Sequence, residues 1–63
     1  MLSMKVSELK KLLRKHGCYQ YREGSNHEMW EAPNGNVFPV PRHNTQDVPI
    51  GTLKSIKKMA GIE

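Results

Sequence analysis

Residues 18–40 read CYQYREGSNHEMWEAPNGNVFPV, and three strands are legible in this one stretch. Cys18-Tyr19-Gln20-Tyr21-Arg22 alternates with a period of two and sets both tyrosines on one face, a pattern that suits a strand. Gly24-Ser25 interrupts it. From His27 to Ala32 the alternation resumes, with His27, Met29 and Glu31 facing one way and Glu28, Trp30 and Ala32 the other. Pro33-Asn34-Gly35 is a turn signal, with glycine available for a positive φ. Val37-Phe38-Pro39-Val40 makes a short third strand, with Phe38 and Val40 pointing inward. Pro39 has no N–H to give to a ladder, so this strand belongs at the edge of the sheet.

Working outward, each flank of this stretch carries a helical period. Val6, Leu9, Leu12, Leu13 and His16 recur at spacings of three and four, which puts them on one face of a helix from about Lys5 to His16. Lys10/Arg14 and Lys11/Lys15 pair on the opposite, solvent side. Ser3 is the candidate N-cap, Gly17 suits the left-handed residue that closes the helix, and His16 reads as a partial core or C-terminal dipole residue. After a polar loop from Pro41 to Pro49, a second helix begins with Pro49 in its first turn. Ile50, Leu53, Ile56, Lys57 and Ala60 trace its face, and Gly61 ends it. The order helix–strand–strand–strand–helix predicts an α+β fold. It is a two-layer α-β-β-β-α sandwich, a three-stranded antiparallel sheet with both helices on one face. Residues 1–63 are read as a single domain.

Size and composition narrow the functions open to such a fold. Sixty-three residues, 37% of them apolar, build only a thin core. A large enclosed substrate cavity is excluded, and chemistry must take place in a surface groove. One cysteine, Cys18, excludes an intrachain disulfide and a four-thiol metal site. No apolar run approaches the ~18 residues of a membrane span. The opening Met1-Leu2-Ser3-Met4-Lys5 has no signal-peptide apolar core, so a cytoplasmic location is expected.

The net charge of +4 is unevenly spread: residues 1–22 carry +5, residues 23–49 carry −3 and residues 50–63 carry +2. A basic excess favours a polyanionic partner through counterion release, and an ordinary solvated helix face accounts for the same lysines equally well. The acidic middle directs any nucleic acid toward the terminal segments.

Three histidines, His16, His27 and His43, are the candidate reactive groups. Their spacing is no metal-ligand set, and neither H-x-x-x-H nor C-x-x-C occurs. Ser25 stands near His27 but without the strand–elbow–helix context of a serine hydrolase. A cysteine nucleophile needs Cys18 to be exposed, and a strand start beside Tyr19 gives no reason to expect that. What remains is a lone histidine on a basic domain. RNA chemistry accommodates that, because the 2′-hydroxyl is an internal nucleophile next to the phosphorus it attacks. The protein then needs only to move protons, which imidazole does near neutral pH, and to stabilise phosphorane charge, which Arg or Lys does. On general grounds a histidine beside a Gly-Ser turn is more often a polar surface residue than a catalyst.

Four segments carry a resemblance. Glu8-Leu9-Lys10-Lys11-Leu12-Leu13-Arg14-Lys15-His16-Gly17, Arg22-Glu23-Gly24-Ser25-Asn26-His27, Val40-Pro41-Arg42-His43 and Ile50-Gly51-Thr52-Leu53-Lys54-Ser55-Ile56 through Ala60-Gly61-Ile62 resemble, in order, the signatures of the HicA toxin family. The resemblance as a whole runs from about residue 4 to residue 62. Many family members read G-S-H where Asn26 here intervenes before His27. The resemblance implies a double-stranded-RNA-binding-domain-like sandwich. It also implies the toxin of a type II toxin–antitoxin system: a ribosome-independent mRNA endoribonuclease, with a HicB-type antitoxin as partner and His27 as its catalytic histidine.

On that reading Gly24 gives backbone access at the turn, while Ser25 and Asn26 hydrogen-bond phosphate or ribose. Arg22 and Arg42 contact phosphate, and Lys54, Lys57 and Lys58 grip the RNA from the second helix, with Thr52 at that helix's start. No metal, small-molecule cofactor or membrane enters the scheme. His43 is read as fixing the Val40–His43 turn in preference to a second proton carrier, and Trp30 as core in preference to a base-stacking platform. Two rivals use the same scaffold: a non-catalytic RNA-binding module, and a protein-interaction domain whose basic surface meets an acidic partner.

Overall fold

The computed structural model describes residues 4–24 and 26–62. Its elements are β1 (Met4–Lys5), α1 (Val6–Lys15), β2 (Tyr19–Glu23), β3 (His27–Glu31), β4 (Val37–Pro41), β5 (Asp47–Val48) and α2 (Ile50–Ala60). The three central strands form one antiparallel sheet in the order β2-β3-β4, with β4 and its Pro39 at an edge. The architecture is the expected α+β arrangement, with one addition. The 41–49 segment, expected to be loop throughout, contributes β5, which pairs with β1 as a two-stranded antiparallel ribbon.

Register explains which side of the sheet is dry. Trp30 stands opposite Phe38 and Glu28 opposite Val40, so these four share a face. Trp30, Phe38 and Val40 are fully buried there, against Val6, Leu9 and Leu13 of α1 and Ile56 and Ala60 of α2. His27, Met29, Pro39 and Pro41 alternate onto the other face. Strand β2 would carry Gln20 and Arg22 to the same side, but an irregularity in register lies between them. Gln20 pairs with Trp30, whereas Arg22 pairs with Met29. The extra residue, Tyr21, turns Arg22 from the core face to the outer face. Tyr19 and Tyr21 are both exposed.

The helices differ from expectation at their ends. Lys5 takes the cap position of α1, its N–H donating to Glu8 Oε1 at 3.0 Å; Ser3 lies outside the described residues. The next two amides find partners in the far loop: Val6 N–H donates to the Gln46 carbonyl at 2.9 Å and Ser7 N–H to that of Asn44 at 3.1 Å. The orphan donors of the first turn therefore dock residues 44–46 onto α1. His16 is exposed at the C-cap and not part of the core, because Gly17, at φ +87°, turns the chain away immediately after it. On α2, Ile50 is 49% exposed because the helix meets the core only from Leu53 onward; its predicted place on the apolar face is not kept. The β3–β4 turn caps the other end of α2, where the Asn34 and Asn36 amides both donate to the Met59 carbonyl, at 3.2 and 2.8 Å.

Candidate nucleic-acid interface

His27 opens β3 and is exposed. The hairpin before it is closed by Gly24 N–H donating to the His27 carbonyl at 2.7 Å. A β-carbon at residue 24 would lie 2.8 Å from that same oxygen, so a side chain there must displace the His27 backbone. Gly24 thus lets the two strands close just ahead of the imidazole. Ser25 lies outside the described residues.

The imidazole lies on a groove of about 410 Å³ beside β4, shared with Asn26, Arg42, His43, Gln46 and Thr52 and floored partly by Pro39, Pro41 and Pro49. This brings together residues from the 26–27 turn, from the segment after β4 and from the start of α2. Of the sequence candidates, Asn26, His27 and Arg42 meet here. Gly24 borders the site through its hydrogen bond to His27. Arg22 stands on the same sheet face as His27, opposite Met29, but does not line the groove. Lys54, Lys57 and Lys58 line a separate shallow concavity with Ile62.

Arg42 is committed to the hairpin. Its Nη1 donates to the Gly24 carbonyl at 3.1 Å, and its Nη2 lies 3.9 Å from Glu23 Oε1. The guanidinium ties the segment after β4 to the mouth of the β2–β3 hairpin while it presents positive charge to the groove.

Lys10, predicted to be a solvent-side charge, is buried instead. Its ammonium donates to Glu28 Oε2 at 3.1 Å, to Asn44 Oδ1 at 2.9 Å and to the Arg42 carbonyl at 3.4 Å. The other Glu28 oxygen accepts from the Trp30 indole N–H at 3.0 Å. Burial pushes the Glu28 carboxyl up, but the Trp30 hydrogen bond, the Lys10 ammonium and Arg42 outweigh it and hold the group below its ordinary value of 4.5. The Arg14 guanidinium lies over the Trp30 ring, 5.1 Å from its centre. The indole is core, as expected, and not a stacking platform.

The acidic middle of the chain is taken apart by this arrangement. Glu28 is paired with Lys10, Glu31 accepts from the Tyr19 hydroxyl, and Glu23 lies beside Arg42. Only the basic partner of one of these pairs, Arg42, lines the groove; none of the three carboxylates does. The Glu31 hydrogen bond raises the Tyr19 phenol above its ordinary value. Cys18 is buried and its thiol is pushed up by that burial, which is the environment of an inert thiol. Among the described residues no group of three His, Cys, Asp or Glu side chains comes together as a metal site, and no helix is long and apolar enough to cross a membrane.

A family model described as the HicA toxin of bacterial toxin–antitoxin systems matches residues 6–62. Among curated proteins none matches the chain.

Proposed function

The chain belongs to the HicA toxin family, and from that premise we propose that it cleaves messenger RNA in the cytoplasm, without the ribosome and without a metal, using His27 to move a proton of the 2′-hydroxyl reaction. In this scheme the 2′-oxygen attacks the adjacent phosphorus, the bond from phosphorus to the 5′-oxygen breaks, and a 2′,3′-cyclic phosphate is left on the upstream fragment. The observation that carries the reading is the exposed His27 imidazole on a groove with Arg42 and Thr52. Arg42 supplies charge for the phosphorane oxygens. Thr52 and the first-turn amides of α2 supply donors to a phosphate, since no acidic side chain occupies that turn. Arg22 on the outer face, Gly24, Ser25 and Asn26, and the lysines of α2 extend the grip along the RNA backbone. A HicB-type antitoxin that covers this groove would silence the enzyme.

The test is cleavage of a defined RNA by purified wild type and His27→Ala, in the presence of a chelator, with analysis of the product ends. The expected result is cyclic-phosphate ends from the wild type and a loss of at least about 100-fold in the variant, with its fold and RNA binding kept. An equal rate in the variant, or an absolute need for an added divalent cation, overturns the scheme. RNA binding by a wild type that makes no products would point to the non-catalytic module instead.

A further inference from the structure

We infer that His43 is the second proton-transfer group of this site. The inference rests on the reading of His27 given above and extends it. Internal cleavage of RNA needs two proton movements. The 2′-hydroxyl gives up its proton as its oxygen bonds to phosphorus, and the departing 5′-oxygen takes one as its bond to phosphorus breaks. The two oxygens stand on opposite sides of the phosphorus in an in-line displacement, so one imidazole does not reach both at once. The reaction therefore calls for two groups, one that accepts a proton and one that donates a proton.

Among the described residues, the groove supplies two such groups and no third. Of the side chains that line it, Asn26, Gln46 and Thr52 do not exchange a proton at neutral pH, and Arg42 stays charged. His27 and His43 remain, one from β3 and one from the segment after β4.

The segment that carries His43 is also fixed more firmly than an exposed loop requires. On one side, the Arg42 carbonyl accepts from Lys10 at 3.4 Å, and the Arg42 guanidinium reaches the Gly24 carbonyl at 3.1 Å. On the other, Asn44 accepts from Lys10 at 2.9 Å through its side chain and from Ser7 N–H at 3.1 Å through its backbone. His43 itself holds the turn through its carbonyl, which accepts from Gln46 N–H at 3.0 Å. The sequence pattern reads His43 as a residue that fixes its turn. The structure gives that work to backbone and to Lys10, and among the described residues the imidazole makes no hydrogen bond or ion pair that the turn depends on. The ring is exposed on the groove, tied through Arg42 to the hairpin that presents His27.

The experiment compares wild type, His27→Ala, His43→Ala and His43→Gln on a short RNA whose cleaved linkage has been mapped, and on the same RNA with sulfur replacing the 5′-bridging oxygen there. A thiolate leaves without a proton, so the sulfur RNA does not need the acid. Both substitutions of His43 are expected to lose about 100-fold or more in kcat on the oxygen RNA, with KM little changed. The sulfur RNA should restore whichever of His27→Ala and His43→Ala has lost the acid, and leave the other slow. Full activity of His43→Ala beside a dead His27→Ala overturns the inference and leaves the role of His27 standing. So does a defect confined to KM, or a sulfur effect that is the same in both variants. Full activity of His27→Ala, or an inactive wild type, overturns both.

Discussion

The Lys10 ammonium lies 3.1 Å from the Glu28 carboxylate, with only 8% and 15% of the two side chains exposed. The pair joins α1 to β3, and through Asn44 and the Arg42 carbonyl it joins both to the segment that carries His43. Taking Lys10 away leaves a mostly buried carboxylate with one neutral donor, the Trp30 indole. Breaking a buried pair from one side costs about 3–5 kcal/mol, a large share of the stability of so small a domain. Lys10→Met should therefore show a urea midpoint far below that of wild type, whereas Lys11→Met, at an exposed position of the same helix, should stay within about 0.5 kcal/mol. Equal midpoints for the two variants would show that the pair contributes nothing net.

Acid should act through the same carboxylate. Glu28 is held below its ordinary value of 4.5 in the fold, so the unfolded chain takes up its proton first as the pH falls. The stability that Glu28 contributes is complete above its unfolded value and is lost as the pH drops through the lower folded one. Thermal midpoints should be flat in this contribution near neutrality and fall below about pH 4.5. Glu28→Gln should flatten part of that acid slope. An unchanged slope would assign acid sensitivity to other carboxylates.

Gly24→Ala tests the closeness of the hairpin. The added β-carbon meets the His27 carbonyl at 2.8 Å, and a backbone oxygen cannot swing aside as a side chain does. Relief requires the hairpin to open, which lengthens the 2.7 Å bond from Gly24 N–H and shifts His27. Overpacking of this kind costs about 1–3 kcal/mol. The measurable signature is a lowered denaturation midpoint together with slower RNA cleavage at saturating substrate. A variant as stable and as active as wild type would mean that the turn relaxes without moving the imidazole.

The local features of this fold were readable because their causes are local. Alternation places Trp30, Phe38 and Val40 on the dry face, Pro39 marks its strand as an edge, and the three-and-four spacing of Val6, Leu9 and Leu13 marks the buried side of α1. The bulge at Tyr21 and the β1–β5 ribbon leave no such mark, since the ribbon pairs Met4 and Lys5 with residues more than forty positions away. Lys10 is the instructive miss. Lysine is rarely buried, and the groups that hold it lie 18, 32 and 34 residues further along the chain. The one sequence signal was an acidic residue, Glu28, on the inward parity of a strand, which needs a cationic partner if it is to be buried. The candidate site was legible in parts: the family resemblance pointed to His27, but that Arg42 and His43 share its groove depends on how β4 runs beside β3.

The lysines of α2 are separable from the groove, and salt distinguishes phosphate binding from an ordinary solvated face. Lys54 and Lys58 are exposed and Lys57 is half-exposed, on a shallow concavity that does not include His27. Their joint replacement by alanine should leave the denaturation midpoint almost unchanged. If all three neutralise RNA phosphates, the slope of log K against log salt should become shallower by about 2 to 3, at roughly 0.7 to 0.9 for each phosphate the variant leaves unneutralised. The chemical step uses none of them, so kcat should hold while KM rises, and the rise should shrink as salt is raised and screens the wild-type charges. A slope identical to that of wild type would return these three residues to the solvated face from which charge counting alone cannot distinguish them.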